Sequence, residues 1–397
     1  SAEKIQRILP GASELAGRMR SFAWKHTALG EPSSWPRSLQ TAAGIMLTSR
    51  YAMWIGWGPD LSFLYNDAYA RMTLGRKHPW ALGQPAQTVW REIWPQIGPL
   101  IEHVLKTGEA TWSDGLLLLL ERSGFSEETY HTFSYSPLFG DAGEIAGMLC
   151  VVTEETERIV GERRLQTLSG LASLTAAAQT EIEVLTAART ALSTADKDLP
   201  FALLCLFDAN DQCALAGHIG LPPGHPMAML DRNGPWQSVM CERPATQVLL
   251  DLRPGQFETL PTGAWKIPPA QAVIVPIARH GDQKSAGYLL TGLNPHLAYD
   301  TAYASFLGLI AGQISDRLEN ARAHEHERER ARSLAELDRA KTAFFANVSH
   351  EFRTPLTLIM SPIDELLQGP EKLTETSREM LQVTQRNSLR LMKLVNA

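Results

Sequence analysis

Between Arg322 and Lys341 the chain is almost wholly polar, with Glu, Arg and His interleaved at near-balanced charge. A segment with so little apolar surface has one ordered structure open to it, a solvated helix laced with ion pairs between residues one turn apart. Behind it Leu334, Leu337, Lys341, Phe344, Val348 and Phe352 step by three and four residues, the spacing of a coiled-coil seam. The seam of the stretch before it (Ile310, Ile314, Arg317, Ala321) does not stay in phase through Arg322 to Ser333. Such a break locally alters supercoiling, and a junction of this kind suits the passage of rotation or unwinding down a helix.

The seam runs directly into Phe344-Phe345-Ala346-Asn347-Val348-Ser349-His350-Glu351-Phe352-Arg353-Thr354-Pro355-Leu356. Imidazole, with an ordinary pKa of about 6.5, is neutral and nucleophilic near pH 7 and suits phosphoryl transfer. Glu351 is placed to accept the proton of the other ring nitrogen, which orients the attacking tautomer and stabilises the developing positive charge. Asn347 precedes His350 by three positions and shares its helical face. Pro355 removes a backbone donor and clashes with the Glu351 carbonyl, which predicts a bend one turn past the histidine. Beyond it Leu356, Ile359, Ile363, Leu366 and Leu367 continue the helix to a break at Gly369-Pro370. A second helix from about Thr374 carries Met380, Thr384, Asn387, Leu391 and Val395 along one face. Two antiparallel helices cannot bury two apolar faces alone, so a C2 homodimer forming a four-helix bundle is expected, with His350 on its exterior.

The stretch around His350 resembles the phosphoacceptor box of sensor histidine kinases, and residues 344–397 resemble their dimerisation and histidine phosphotransfer domain, incomplete in its second helix. The resemblance implies that His350 accepts a phosphoryl group from ATP and passes it to an aspartate in the receiver domain of a response regulator. It assigns Glu351 as the adjacent acid and Thr354 as the residue that positions water for dephosphorylation. The implied catalytic set is His350, Glu351, Asn347 and Thr354. Phosphoryl transfer needs Mg-ATP cradled and positioned, yet no glycine-rich phosphate loop, Asp-x-Gly-x-Gly stretch or acidic metal site follows residue 350. The ATP-binding domain of the family is expected to lie beyond Ala397, and the chain is expected to be inactive without it.

Upstream, strand-like runs occur at Met53–Trp57 and Leu61–Tyr65, ended by Asn66-Asp67, with a short helix before them at Ser38–Leu47. A helical middle whose longest element is Ile93–Leu105 leads to strand candidates at Thr111–Glu121, Glu128–Pro137 and Ile145–Thr153, the last two joined by the hairpin signal Gly140-Asp141-Ala142-Gly143. This order, with Tyr65-Asn66-Asp67-Ala68-Tyr69 and Val152-Thr153-Glu154-Glu155-Thr156, resembles a PAS domain over residues 38–156. A helical pattern from Thr156 to Thr194 follows, then strand candidates at Phe201–Phe207, Cys213–His218, Ala272–Ala278 and Ser285–Gly292, then a long helix from about Tyr299. That order resembles a GAF domain. The expected fold class is α+β, with two antiparallel-sheet sensory domains joined by long helices to an all-α hairpin. The expected divisions are an N-terminal extension at 1–37, PAS at 38–156, GAF with flanking helices at 157–320, a signalling helix at 321–343 and the phosphotransfer hairpin at 344–397.

With 397 residues and a net charge of −6, the chain gives no reason to expect nucleic acid as a partner, which would need a basic face. Its longest purely apolar run, Leu116–Leu120, is far short of a membrane span, and no signal pattern opens the chain, so a cytoplasmic protein is expected. Cys150, Cys205, Cys213 and Cys241 form no CxxC pair and read as reduced, mostly buried thiols; no metal site is expected. The sensory ligand is unknown from sequence. His78, His103 and His131 are the candidate haem ligands, although core or surface packing is the commoner role of such histidines. Covalent bilin is disfavoured because Cys241 is followed by Glu242 rather than His. A small-molecule or protein signal stays open. So do two other classes of function: a non-enzymatic dimeric scaffold or adaptor, and a chromophore-binding photoreceptor.

Overall fold

The computed structural model describes residues 2–208, 212–228, 236, 244–252, 259–279, 285–370 and 372–396. Two compact units divide it, Ser1–Ala178 with Ile182–Arg317 and Gln179–Glu181 with Leu318–Ala397.

The first unit holds two five-stranded sheets, antiparallel throughout. One comprises β1 (Ala52–Trp57), β2 (Ser62–Tyr65), β3 (Thr111–Leu120), β4 (Glu127–Phe139) and β5 (Ile145–Glu154), in the order β2-β1-β5-β4-β3. The other comprises β6 (Ala202–Phe207), β7 (Cys213–Ile219), β8 (Val248–Asp251), β9 (Gln271–Ile277) and β10 (Gly287–Gly292), in the order β7-β6-β10-β9-β8. The two sheets thus repeat one winding. Nine of these ten strands fall on the runs read from sequence. The tenth, β8, is a four-residue edge strand between the strand candidates at Cys213–His218 and Ala272–Ala278, where none was read from sequence. Too short to show a period, it is specified by its pairing with β9.

The helices before the first sheet are α1 (Ala2–Ile8), α2 (Glu14–Ser21) and α3 (Arg37–Thr48); α4 (Asp67–Tyr69), α5 (Ala86–Val89) and α6 (Trp94–Thr107) interrupt it. Leu9, Leu15, Met19, Trp24 and Trp35 pack in the same core as Trp54, Phe63 and Tyr65. Polar side chains distant in sequence tie these helices down. Asp67 accepts hydrogen bonds from the amides of Glu14 and Leu15, capping α2. Asp141, in the predicted hairpin turn, accepts from the amides of Arg37 and Ser38 at 3.0 and 2.9 Å and caps α3, where Pro36 has no side-chain oxygen to offer. Asn66 is buried and satisfied on both sides. It accepts from the amides of Met53 and Tyr69 and donates to the carbonyls of Met46 and Tyr51. The Tyr65-Asn66-Asp67 motif is therefore a structural knot.

The helical stretch from Thr156 to Thr194 is two helices, α7 (Thr156–Thr175) and α8 (Glu181–Leu192), rather than one. Helix α7 buries Leu171 and Thr175, and α8 buries Val184 and Ala188. Nine residues separate Thr175 from Val184, about two and a half turns, so one straight helix would put these faces on opposite sides. The chain breaks between them and both faces reach the interior.

A charged cluster joins the parts of this unit. Arg163 on α7 donates from Nε and Nη2 to both oxygens of Asp198 at 2.7 and 2.8 Å, and from Nη1 to Glu128 Oε1 on β4 at 2.6 Å. Both carboxylates are fully buried. Glu128 also accepts from Tyr130 at 2.7 Å and from the Asn294 amide at 2.6 Å, and Lys197 donates to the Tyr130 hydroxyl at 3.1 Å.

His131 lies in the first core, 1% exposed, its Nε2 against Thr129 Oγ1 and its Nδ1 without a partner. Burial pushes its pKa down to about 4; Glu154 opposes that shift and Arg122 adds to it. An unfolded histidine titrates near 6.5, so between about pH 6.5 and 4 the unfolded chain binds a proton that the folded one does not. Stability is therefore expected to fall with pH across that window, by roughly 3 kcal/mol from this group. Thermal melts of wild type and His131→Gln at pH 7.5 and 5 check it. The variant should lose that part of the acid sensitivity, and parallel curves would refute the assignment.

In the second unit, α9 (Thr301–Gln368) enters from the first unit and continues unbroken through Pro355 and Pro362. Helix α10 (Glu375–Asn396) returns after the Gly369-Pro370 break, its first turn capped by Thr374 Oγ1, which accepts from the Ser377 amide at 3.2 Å. Residues 323–340 are exposed at every position, as a solvated helix requires. The seam residues are bare in the single chain, with Leu334 and Leu337 each 68% exposed and Phe344 62%.

Candidate functional site

Helix α9 is fixed to α10 along a heptad-spaced seam. Leu356 and Ile363 on α9 and Ser388 on α10 are buried, and Ser349, seven residues before Leu356, donates its hydroxyl to the Val395 carbonyl at 2.9 Å. Farther along, Gln385 donates to Asp364 Oδ1 at 2.6 Å. His350 follows Ser349 by one position and so stands about 100° round the helix from that seam. On the same wheel Thr354 lies near 140°, Asn347 near 160° and Glu351 near 200°. All four residues singled out from sequence therefore occupy a sector about 100° wide that faces away from α10, and all four are exposed.

Within this sector Thr354 donates its hydroxyl to the His350 carbonyl at 3.3 Å, one turn back. Among the described residues the His350 imidazole makes no hydrogen bond to Glu351. Adjacent helical residues do not face each other, and the ring and this carboxylate leave the helix about 100° apart. The arrangement leaves the imidazole open to solvent, with an acid, an amide and a hydroxyl in the same exposed sector. The Ser349 and Gln385–Asp364 contacts that hold the helix beneath this sector were not singled out from sequence. The seven-residue interval between Ser349, Leu356 and Ile363 was the available signal.

The three histidines weighed as haem ligands are engaged otherwise. His78 Nδ1 lies 2.9 Å from the Tyr65 hydroxyl and Nε2 3.3 Å from Glu14, and His103 sits at the surface 3.7 Å from Glu109. His131, with Trp54, Tyr69, Trp90, Tyr135 and Cys150, lines a cavity of about 30 Å³. That is room for a water molecule or two and not for a haem, so the residues present do not fit that group. The described residues contain no cluster of three or more potential metal ligands, and no helix among them is long and apolar enough to cross a membrane. Cys150 and Cys205 are buried thiols and Cys213 is half-buried; Cys241, weighed as a bilin site, lies outside the described residues.

Residues 340–397 match the family described as the His Kinase A (phospho-acceptor) domain. Hybrid signal transduction histidine kinase D of Dictyostelium discoideum is 46% identical over 79 residues, 20% of this chain and 5% of that protein. Sensor protein kinase WalK of Staphylococcus aureus is 43% identical over 61 residues, 15% of each chain. The chain thus spans 5% to 15% of the lengths of these two relatives. Among solved structures, the GAF domain of a phosphoenolpyruvate-protein phosphotransferase from Coxiella burnetii aligns over 42% of this chain and 98% of its own, at 17% identity and a TM-score of 0.32. Two antiparallel sheets therefore precede a phospho-acceptor domain of the His Kinase A family at residues 340–397, and the chain is homologous there to the sensor histidine kinases.

Proposed function

We propose that this chain is the sensory and phosphoacceptor portion of a cytoplasmic two-component kinase, in which His350 takes the γ-phosphoryl group of Mg-ATP from an ATP-binding domain and passes it to a receiver-domain aspartate. The exposed sector carrying His350, Glu351, Asn347 and Thr354 supports this reading best, because it lies opposite the α9–α10 seam and stays open to both protein partners. Glu351 assists proton transfer at the ring, Asn347 shares the face, and Thr354 positions water for hydrolysis of the phosphohistidine. The exposed Leu334, Leu337, Phe344 and Phe352 side chains are covered by a second copy in a homodimeric four-helix bundle. The PAS-like and GAF-like domains bias that stem in response to a small-molecule or protein signal.

The test supplies what the mechanism needs from outside. Incubated with Mg-ATP and the ATP-binding domain of a related kinase, the chain is expected to gain acid-labile, base-stable phosphate in the peptide containing His350. No incorporation alongside a phosphorylated control substrate, or phosphate on serine or threonine alone, would sink the reading and favour the scaffold alternative.

A further inference from the structure

Within the first unit α9 buries Ile310 and Ile314 completely. Its opposite face carries Ala302, Ser305, Leu309 and Gly312, all exposed. These residues alternate by three and four, the a/d spacing of a coiled-coil seam. Helix α7 repeats the pattern. It buries Leu171 and Thr175, while Gly161, Leu165, Leu168 and Ala172 step by four, three and four along a half-buried or exposed face. Leu165 is 67% exposed and Leu309 55%. Arg164 on α7 lies 4.2 Å over the Tyr303 ring and 5.4 Å over the Phe306 ring, so the two helices stand side by side. Between them opens a groove of about 890 Å³ whose walls include Val160, Leu165, Leu168, Phe306 and Leu309. Its buried charges are already paired, Glu127 with Arg122, Glu128 with Arg163 and Arg164 with Asp198. The groove therefore offers apolar contact more than an ion site, and an exposed apolar patch of this kind marks a protein-binding surface.

We propose that this groove receives the α7–α9 pair of a second copy, giving the sensory unit a dimer contact of its own. The inference rests on the homodimeric reading above and extends it to a surface outside residues 340–397. Each stripe sets leucine beside glycine, alanine or serine, so one copy presents both the knobs and the holes that a two-fold contact needs. A partner of another kind would have no reason to find both on one surface. Leu309 also falls four heptads before Leu337 on the same helix. Leu337 belongs to the exposed seam that a second copy covers in the proposed bundle, so one partner serves both stretches. Two helices with open apolar faces are completed by two more, as in any four-helix bundle. The glycines fit that role, since the absence of a side chain lets a second backbone come close.

Gly161→Arg and Gly312→Arg test this in the full chain. A Cβ at either position meets no atom within 4 Å in the single chain, and arginine is a better helix former than glycine, so each copy keeps its fold. Across a two-fold contact each substitution puts bulk and like charge into a hole. Sedimentation over a dilution series should show the dimer dissociation constant raised by on the order of a hundredfold. Ser305→Cys should join two copies through a short bismaleimide, in higher yield than wild type or Asp60→Cys, an exposed position in the turn between β1 and β2. Leu337→Glu, in the seam, should weaken the dimer while the Ser305→Cys cross-link still forms at higher protein concentration. Glycine variants that dimerise like wild type, with Ser305→Cys joined no better than Asp60→Cys, would overturn the proposal. Loss of the dimer in Leu337→Glu alone would do the same and leave the bundle reading intact. A wild-type chain that stays monomeric would overturn both and leave the groove to a different protein.

Discussion

Replacing His350 by glutamine should abolish phosphate incorporation in the presence of Mg-ATP and a supplied ATP-binding domain. Glutamine is a good helix former and His350 is exposed, so the hairpin should fold unchanged. What is lost is the nucleophilic nitrogen, for which an amide has no substitute. Glu351→Gln keeps the shape and removes the proton acceptor, and incorporation should slow by on the order of a hundredfold, within the range of general base catalysis. Thr354→Ala should load at the wild-type rate and retain its phosphate longer, by about tenfold, since its proposed part is in hydrolysis and not in loading. Time courses of loading, and of loss after ATP removal, separate the three roles. A His350→Gln chain labelled like wild type would remove the acceptor assignment. A Thr354→Ala chain that neither loads nor folds would instead assign its hydroxyl bond to the His350 carbonyl a structural duty.

The elements that sequence made legible are those whose pattern is long or chemically specific. Nine strands announced themselves by apolar, β-branched and aromatic runs between turn residues. The polar stretch from Arg322 could be little other than solvated helix, and residues 323–340 are exposed throughout. The His350 segment was readable because its residue order is specific to one family, and residues 340–397 match that phospho-acceptor family. Illegible features depended on partners far away in the chain. Strand β8 exists through pairing with β9. The break between α7 and α8 follows from two buried faces that a single helix would set on opposite sides. Ser349 reads as an ordinary helical serine until α10 brings the Val395 carbonyl beside it.

Arg163→Met is expected to be the most destabilising single substitution in the first unit. Arg163 is the shared cation of Glu128 and Asp198, whose carboxylates are fully buried while its own side chain is 18% exposed. Methionine fits the volume and removes the charge, leaving two anions in the interior with only neutral donors and the flanking cations. Breaking a buried pair in this way costs about 3–5 kcal/mol, which for a unit of this size corresponds to a fall in melting temperature of roughly 10 °C. Neutralising both acids in the same chain, as Glu128→Gln with Asp198→Asn, should recover much of the loss, because the penalty lies in the unpaired charge and not in the missing cation. A single variant as stable as wild type would show that water reaches the carboxylates and that the cluster contributes little. The consequence extends beyond stability. Asp198 also offers its backbone carbonyl to the Tyr303 hydroxyl on the first turn of α9, and Arg164 stacks over the Tyr303 ring at 4.2 Å. Strand β4, helix α7, the turn before β6 and the start of α9 thus meet at one set of charges. Glu128 on β4 and Asp198, whose carbonyl Tyr303 on α9 hydrogen-bonds, thus share one cation on α7. If the sensory sheets control His350 through that helix, Arg163→Met should leave loading of His350 intact and weaken its dependence on the upstream domains, a separation that loss of fold alone would not produce.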